Sequence, residues 1–138
     1  MRPVAEPALS DFCTQLTSIT QSDVDGADTF PAALASFIEW IGPEPFYLCS
    51  WGAYDLSQLR SDCARHDITF PGSFEQHINL KQEFASVFGV KSRGMKAALA
   101  HVGLALEGTH HRGIDDARNI GKLAELILPR LEEAGLLD

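Results

Sequence analysis

Apolar residues recur every three or four positions over most of this chain, the spacing of amphipathic helices joined by short loops. The clearest case is TFPAALASFIEWIG. Thr29 is placed to cap a helix, Pro31 falls in its first turn, and Gly42 ends it. Leu34, Phe37, Ile38 and Ile41 form its apolar stripe. Two shorter helices precede it. Ser10 and Asp11 cap one that carries Phe12 and Leu16, and another starts near Thr20 in ITQSDVDGAD. Before them, prolines keep PVAEPALSD extended.

FYLCSWG (46–52) breaks the helical period. It is a short, almost continuous apolar run bounded by Pro and Gly, as expected of a buried parallel strand. DLSQLRSDCARH then reads as a helix with Leu56, Leu59 and Cys63 on one side. HINLKQEFASVFG begins with a strand of two or three residues and turns helical. SRGMKAALAHVGL is a helix with Met95, Leu99 and Val102 inward and Gly103 at its end. The last, DDARNIGKLAELILPRL, sets Ile120, Leu123, Ile127 and Leu131 at helical spacing. The expected class is α/β with one or two strands. Parallel sheets are usually built from three or more strands covered on both faces, so the chain is strand-poor and reads like the second half of a fold.

The length, 138 residues, suits one domain, and 45% hydrophobic with 22% charged residues is ordinary for a soluble globular protein. No apolar run approaches a membrane span and no basic-then-apolar leader opens the chain, so no membrane association and a cytoplasmic location are expected. Cys13, Cys49 and Cys63 are odd in number and form no Cys-x-x-Cys; they read as reduced, mostly packed thiols. The net charge of −8 argues against a protein that coats nucleic acid through bulk positive charge. It leaves room for an enzyme whose carboxylates hold divalent cations, because bound metal inverts the local charge.

Candidate chemistry concentrates in HHRGIDDARNIGKL (110–123). Gly113 lets the backbone bend, so that His111 can reach over the helical turn from which Asp116 emerges. Taken alone, a histidine and an aspartate at this spacing are usually unrelated. The plainer reading has Asp115 capping the helix and Asp116 favouring its positive end. His110 and His101 have no evident partner and are assigned to solvent or packing. Asp55 follows the best strand, where open α/β sheets keep their ligands, although it too reads as a helix cap. Asp55 and the His111–Asp116 pair could meet around hard cations such as Mg²⁺ or Mn²⁺, which take oxygen ligands. Trp51 could stack on a terminal base, but its strand-end position favours the core. Arg112 could meet either phosphate or solvent.

RPVAEPALSDFCTQLTSITQSDVDGADTFP, LCSWGAYDLSQLRSDC and HHRGIDDARNIGKLA closely resemble the DEDDh class of 3′-to-5′ exonucleases. The resemblance is to the branch of histone-mRNA and RNA-interference exonucleases and their bacterial KapD-type relatives. It runs from Arg2 to about Leu131 with the order of the blocks preserved. It implies a ribonuclease H-like exonuclease fold, of which this chain holds mainly the helix-rich C-terminal portion. Asp55 matches the aspartate of the second exonuclease motif, which helps place a divalent metal. His111 matches the histidine of the third motif, the general base for the attacking water, and Asp116 that motif's metal ligand; Asp115 is a less fitting ligand. The implied chemistry uses two metals, Mg²⁺ or Mn²⁺, that clamp and polarise the scissile phosphate and stabilise the leaving 3′-oxygen. An imidazole suits the base because it titrates near neutrality. The implied partner is the 3′ end of RNA or single-stranded DNA, and the product a nucleoside 5′-monophosphate.

The resemblance also exposes a gap. The first motif of the family, Asp-x-Glu on the first strand, is absent: no Asp-x-Glu occurs in the chain. In relatives it comes with the first three strands of the sheet, so residues 1–138 are expected to be a partial exonuclease domain, inactive or impaired alone. Met1 stands where relatives commonly have Val before Arg-Pro, so a valine codon read as the initiator would account for the start. A further departure is Ser18 in LTSIT, where relatives often carry Gly. Loss of Asp-x-Glu favours a non-catalytic remnant, a nucleic-acid or protein interaction module. Retention of Asp55, His111 and Asp116 together favours the exonuclease.

Overall fold

The structure is a computed structural model and describes residues 1–137. Seven helices and two strands follow one another as α1 (Asp11–Thr17), α2 (Gln21–Asp25), α3 (Phe30–Ile41), β1 (Leu48–Ser50), α4 (Tyr54–Arg65), β2 (His77–Asn79), α5 (Leu80–Val87), α6 (Met95–His101) and α7 (Gly113–Glu133). A 3-10 turn at Gly72–Glu75 leads into β2.

The local signals act where the spacing puts them. The Ser10 hydroxyl accepts the Cys13 N–H at the start of α1. Thr20 and Asp23 form a reciprocal capping box on α2, and the Asp23 carboxyl is held below its usual range by its hydrogen bonds to the Thr20 backbone and hydroxyl. Helix α3 starts after Thr29, which occupies the cap position without a side-chain bond. Ser18, at the C-cap of α1, has φ +57°, in the left-handed region where glycine costs least. That conformation accounts for a position at which Gly is the easier residue.

β1 and β2 pair in parallel, Leu48 opposite His77, Cys49 opposite Ile78 and Ser50 opposite Asn79. Among the described residues β2 is the only strand that β1 pairs with, so the other edge of β1 is open. The alternation of β1 joins two packed clusters. Leu48 meets the first, built on Phe30, Leu34, Cys63 and Phe74; Cys49, on the opposite face, meets the second. The second is larger and holds Ile78, Leu80, Phe84, Met95, Leu99, Leu123, Ile127 and Leu131. Each such buried side chain contributes about 1.5–3 kcal/mol, and this cluster packs α7 against α5, α6 and β1, and α5 against both strands.

The packing departs from the apolar pattern at two helices. Phe12 and Leu16 are exposed, because α1 buries none of its residues against another element. Ile38 is also exposed, so the buried face of α3 is narrower than its apolar stripe. Cys13 is an exposed thiol, whereas Cys63 is fully buried and Cys49 half-buried, and desolvation pushes both of these thiols up. Among the described residues, no helix is long and apolar enough to cross a membrane.

Candidate active site

Segments far apart in sequence meet at a cavity of about 700 Å³ whose walls include Ser50, Trp51, Asp55, His110, His111 and Asp116. Apolar residues of β1, α4 and α7, among them Leu48, Leu59 and Ile120, line the remainder. The three residues singled out from the sequence, Asp55, His111 and Asp116, are therefore brought to one place.

Asp55 is the second residue of α4, and the cap position belongs to Ala53, which makes no side-chain cap bond. The carboxylate does not cap the helix and makes no hydrogen bond or ion pair among the described residues. The turn that presents it is pinned from behind. Ser50, buried at the end of β1, donates its hydroxyl hydrogen to the Gly52 carbonyl at 2.8 Å. A hydroxyl has one hydrogen, so the Ser50 oxygen must accept from His77 Nε2–H at 2.7 Å. Burial pushes the His77 imidazole below its ordinary value, and the negative charge of Asp55 opposes that shift.

On the other side of the cavity's lining, α7 begins at Gly113, two residues before the expected start, with Arg112 in the cap position. Asp115 is thus in the first turn and is not the cap. Its Oδ2 accepts the Thr109 N–H at 3.0 Å, and its carboxylate lies so close to Gly108 that a Cβ there would sit 2.4 Å from Asp115 Cγ. Asp116 Oδ1 accepts from His110 Nδ1–H at 3.0 Å and from the His111 backbone N–H at 3.3 Å. No hydrogen bond among the described residues reaches Asp116 Oδ2 or the His111 imidazole nitrogens. His111 has φ +71°, an uncommon conformation for a residue with a Cβ. It folds the chain so that the rings of His110 and His111 stack, with centroids 3.9 Å apart.

His110 had no expected partner, and the structure supplies one in Asp116. Asn119 was also missed as a structural group. It is buried on α7, accepts the Glu107 N–H at 3.0 Å, and donates to the carbonyls of Glu107 at 2.8 Å and Asp115 at 2.7 Å. A lone Asn on the face of a helix otherwise patterned for burial was the available signal, since a buried amide must find partners. His101 packs edge-on against Phe84 and Phe88. Trp51 stands edge-to-face on Phe84 with its Nε1–H on the Arg93 carbonyl, as a core residue that also lines the cavity. Arg112 reaches the Ser18 hydroxyl at 3.4 Å, which ties the start of α7 to the end of α1.

A carboxylate just past a parallel strand, facing the same cavity as a histidine and an aspartate at a helix start, places the molecule among α/β proteins with an acidic site at the strand ends. The chain belongs to the exonuclease family: the family model described as Exonuclease (RNase T) matches residues 1–124. It is 34% identical over 137 residues to human 3′-5′ exoribonuclease 1, covering 93% of this chain and 39% of that protein. It is 33% identical over 140 residues to the Drosophila melanogaster 3′-5′ exonuclease Snipper, covering 88% of this chain and 50% of that protein. The chain thus spans half or less of these curated relatives. Among solved structures, it superposes on the nuclease domain of 3′hExo, a DEDDh family member bound to rAMP, with a TM-score of 0.86 at 33% identity, over 93% of this chain and 68% of that one. The 3′-exonuclease solved for 3′-end-specific recognition of the histone mRNA stem-loop gives a TM-score of 0.84 at 30% identity, over 93% of this chain and 61% of that one. The fold is accordingly the ribonuclease H-like exonuclease fold, represented here by a small parallel sheet and the helices around it.

Proposed function

We propose that this chain is part of a 3′-to-5′ exonuclease domain that hydrolyses RNA or single-stranded DNA from the 3′ end, releasing nucleoside 5′-monophosphates. The observation that carries the reading is the meeting of Asp55, His111 and Asp116 on one cavity, with the Asp55 carboxylate and Asp116 Oδ2 both free of hydrogen bonds among the described residues. Carboxylates with oxygens left uncommitted among the described residues suit hard divalent cations, Mg²⁺ or Mn²⁺, and Asp55 and Asp116 are the residues that would hold them. Such cations, when bound, neutralise the scissile phosphate and stabilise the leaving oxygen. The chain's own groups do the rest. The His111 imidazole, with no hydrogen bond committed elsewhere, accepts the proton of the attacking water at a ring nitrogen. His110 and the His111 backbone N–H hold Asp116 Oδ1 and orient its other oxygen. The Ser50–His77 pair fixes the turn before Asp55.

The domain reading extends to what the chain does not contain. The open edge of β1 and the apolar lining of the cavity suit further strands, and an Asp-x-Glu on one of them would complete the acidic site. The absence of Asp-x-Glu also supports a second reading for this polypeptide alone, a non-catalytic module that binds nucleic acid or protein.

The test is a Mn²⁺- or Mg²⁺-dependent assay on 3′-labelled RNA and DNA, run on this chain and on one extended at its N-terminus. The extended protein is expected to shorten at least one substrate from the 3′ end. Asp116→Ala abolishes this, and His111→Ala lowers it by about 10²–10⁴-fold. An extended protein that degrades neither substrate leaves the binding-module reading in its place.

A further inference from the structure

We propose that His110, His111 and Asp116 form a binding site for one first-row transition cation, Zn²⁺ by its chemistry, and that filling it takes Asp116 away from the hard-cation site shared with Asp55. The competition rests on the exonuclease reading above; the binding does not.

Consecutive side chains normally diverge, whether the backbone is helical or extended. Here the left-handed φ of His111 turns two neighbouring imidazoles onto the same side, stacked 3.9 Å apart and 23° from parallel. One potential ligand atom from each of His110, His111 and Asp116 lies within 4.8 Å of the others. Tetrahedral zinc with bonds of about 2.0–2.2 Å sets its ligand atoms roughly 3.4 Å apart. Closing that difference requires the two rings to unstack so that their in-plane lone pairs converge, and the half-exposed His110 and the exposed His111 have the solvent-facing room to turn. His110 Nδ1 already points at Asp116 Oδ1, so a cation there replaces the proton between them. The Nδ1 proton leaves to solvent and Nε2 takes one up from solvent, so that the ligating ring is the neutral Nε2–H tautomer.

The donor set decides which ion it takes. Two imidazoles and one carboxylate are borderline donors, which bind Zn²⁺ more tightly than Mn²⁺ and serve Mg²⁺ poorly. Three protein ligands also leave one position to water, as in an open zinc site. Asp55 is not part of this cluster. The two sites therefore share the Asp116 carboxylate, and His110 would ligate the transition ion alone while its hydrogen bond orients Asp116 in the other site.

The experiment uses the full chain with Co²⁺ as the spectroscopic probe. We expect one Co²⁺ per chain, with visible d–d bands that Zn²⁺ discharges. His110→Phe, which keeps the stacked ring but removes the ligand, weakens Co²⁺ binding by roughly tenfold or more, while Asp55→Asn leaves it unchanged. His110→Ala repeats the test without a bulky ring, and far-UV circular dichroism verifies the fold of each variant. In parallel, electron paramagnetic resonance of free Mn²⁺ is expected to show Zn²⁺ releasing bound Mn²⁺ from the wild type, with roughly tenfold more Zn²⁺ needed in His110→Phe after correction for that variant's own Mn²⁺ affinity, measured by the same titration. Absence of a discrete Co²⁺ spectrum, or a spectrum that both His110 variants leave unaltered, overturns the proposal. Equal weakening by Asp55→Asn and His110→Phe overturns it too, because the ion would then sit in the hard-cation site. Failure of the N-terminally extended protein to bind Mn²⁺ counts against the exonuclease reading, and the Co²⁺ result still decides this site.

Discussion

Replacing Asn119 by Ala removes the clamp that holds the segment before α7. Asn119 is 1% exposed and makes three hydrogen bonds, two to the backbone of Glu107 and one to the Asp115 carbonyl. A typical internal hydrogen bond contributes about 0.5–1.5 kcal/mol net, and a buried group left unpaired costs more. The Asp115 carbonyl lies within α7 and accepts the helical bond as well, so its loss is the smallest of the three. The Glu107 groups belong to an exposed residue and can turn to water. Together these terms give a loss of about 2–3 kcal/mol for Asn119→Ala. Urea unfolding followed by tryptophan fluorescence measures it, since Trp51 is packed on Phe84 and responds to loss of the core. Amide exchange adds a local readout: the Glu107 N–H should lose its protection at denaturant concentrations where the Leu123 N–H keeps its own. Asn119→Asp is expected to cost at least as much, because it keeps the acceptor for the Glu107 N–H but sets a carboxylate against two carbonyls. A loss below about 0.5 kcal/mol, or unchanged exchange at Glu107, would refute the clamp. The consequence for the site is direct, because His110 and His111 follow Glu107 within one short loop.

Two further perturbations probe the same construction. Burial lowers the His77 imidazole below its ordinary value near 6.5, so the unfolded chain binds more protons in the interval between the two values. Stability from this group is full above that ordinary value and falls as the pH drops toward the depressed one; His77→Phe should flatten this part of a stability–pH profile, and an unchanged slope would count against the buried pair. Gly108→Ala forces a Cβ into the Asp115 carboxylate at a residue with φ +74°, and should cost about 1–2 kcal/mol from the backbone alone, with further loss from the displaced Thr109 bond. Thermal unfolding checks it, and a shift no larger than that of an exposed Ala100→Gly control would argue that Asp115 moves aside freely.

Much of this fold is legible along the chain because its signals are local. Helical periodicity, the Ser10 and Thr20 caps, the stop at Gly42 and the apolar run of β1 each act within a few residues, where backbone geometry alone relates them. The residue types of the site are legible too, since a strand-end Asp55 and a His–Asp pair at a helix start are patterns of the chain. Which carboxylates are free is not. Asp55, Asp115 and Asp116 all read as helix-start residues, and only tertiary structure gives Asp115 to Thr109, half of Asp116 to two histidines, and Asp55 to nothing. The choice depends on where α7 begins, on the left-handed turn at His111, and on Asn119 reaching back 12 positions to Glu107. The same holds for Ser50 and His77, 27 residues apart and joined only because β1 and β2 are neighbours. Local periodicity settles which elements form; the pairing of polar groups is settled by long-range packing, which brings each of them its partners or leaves it without one.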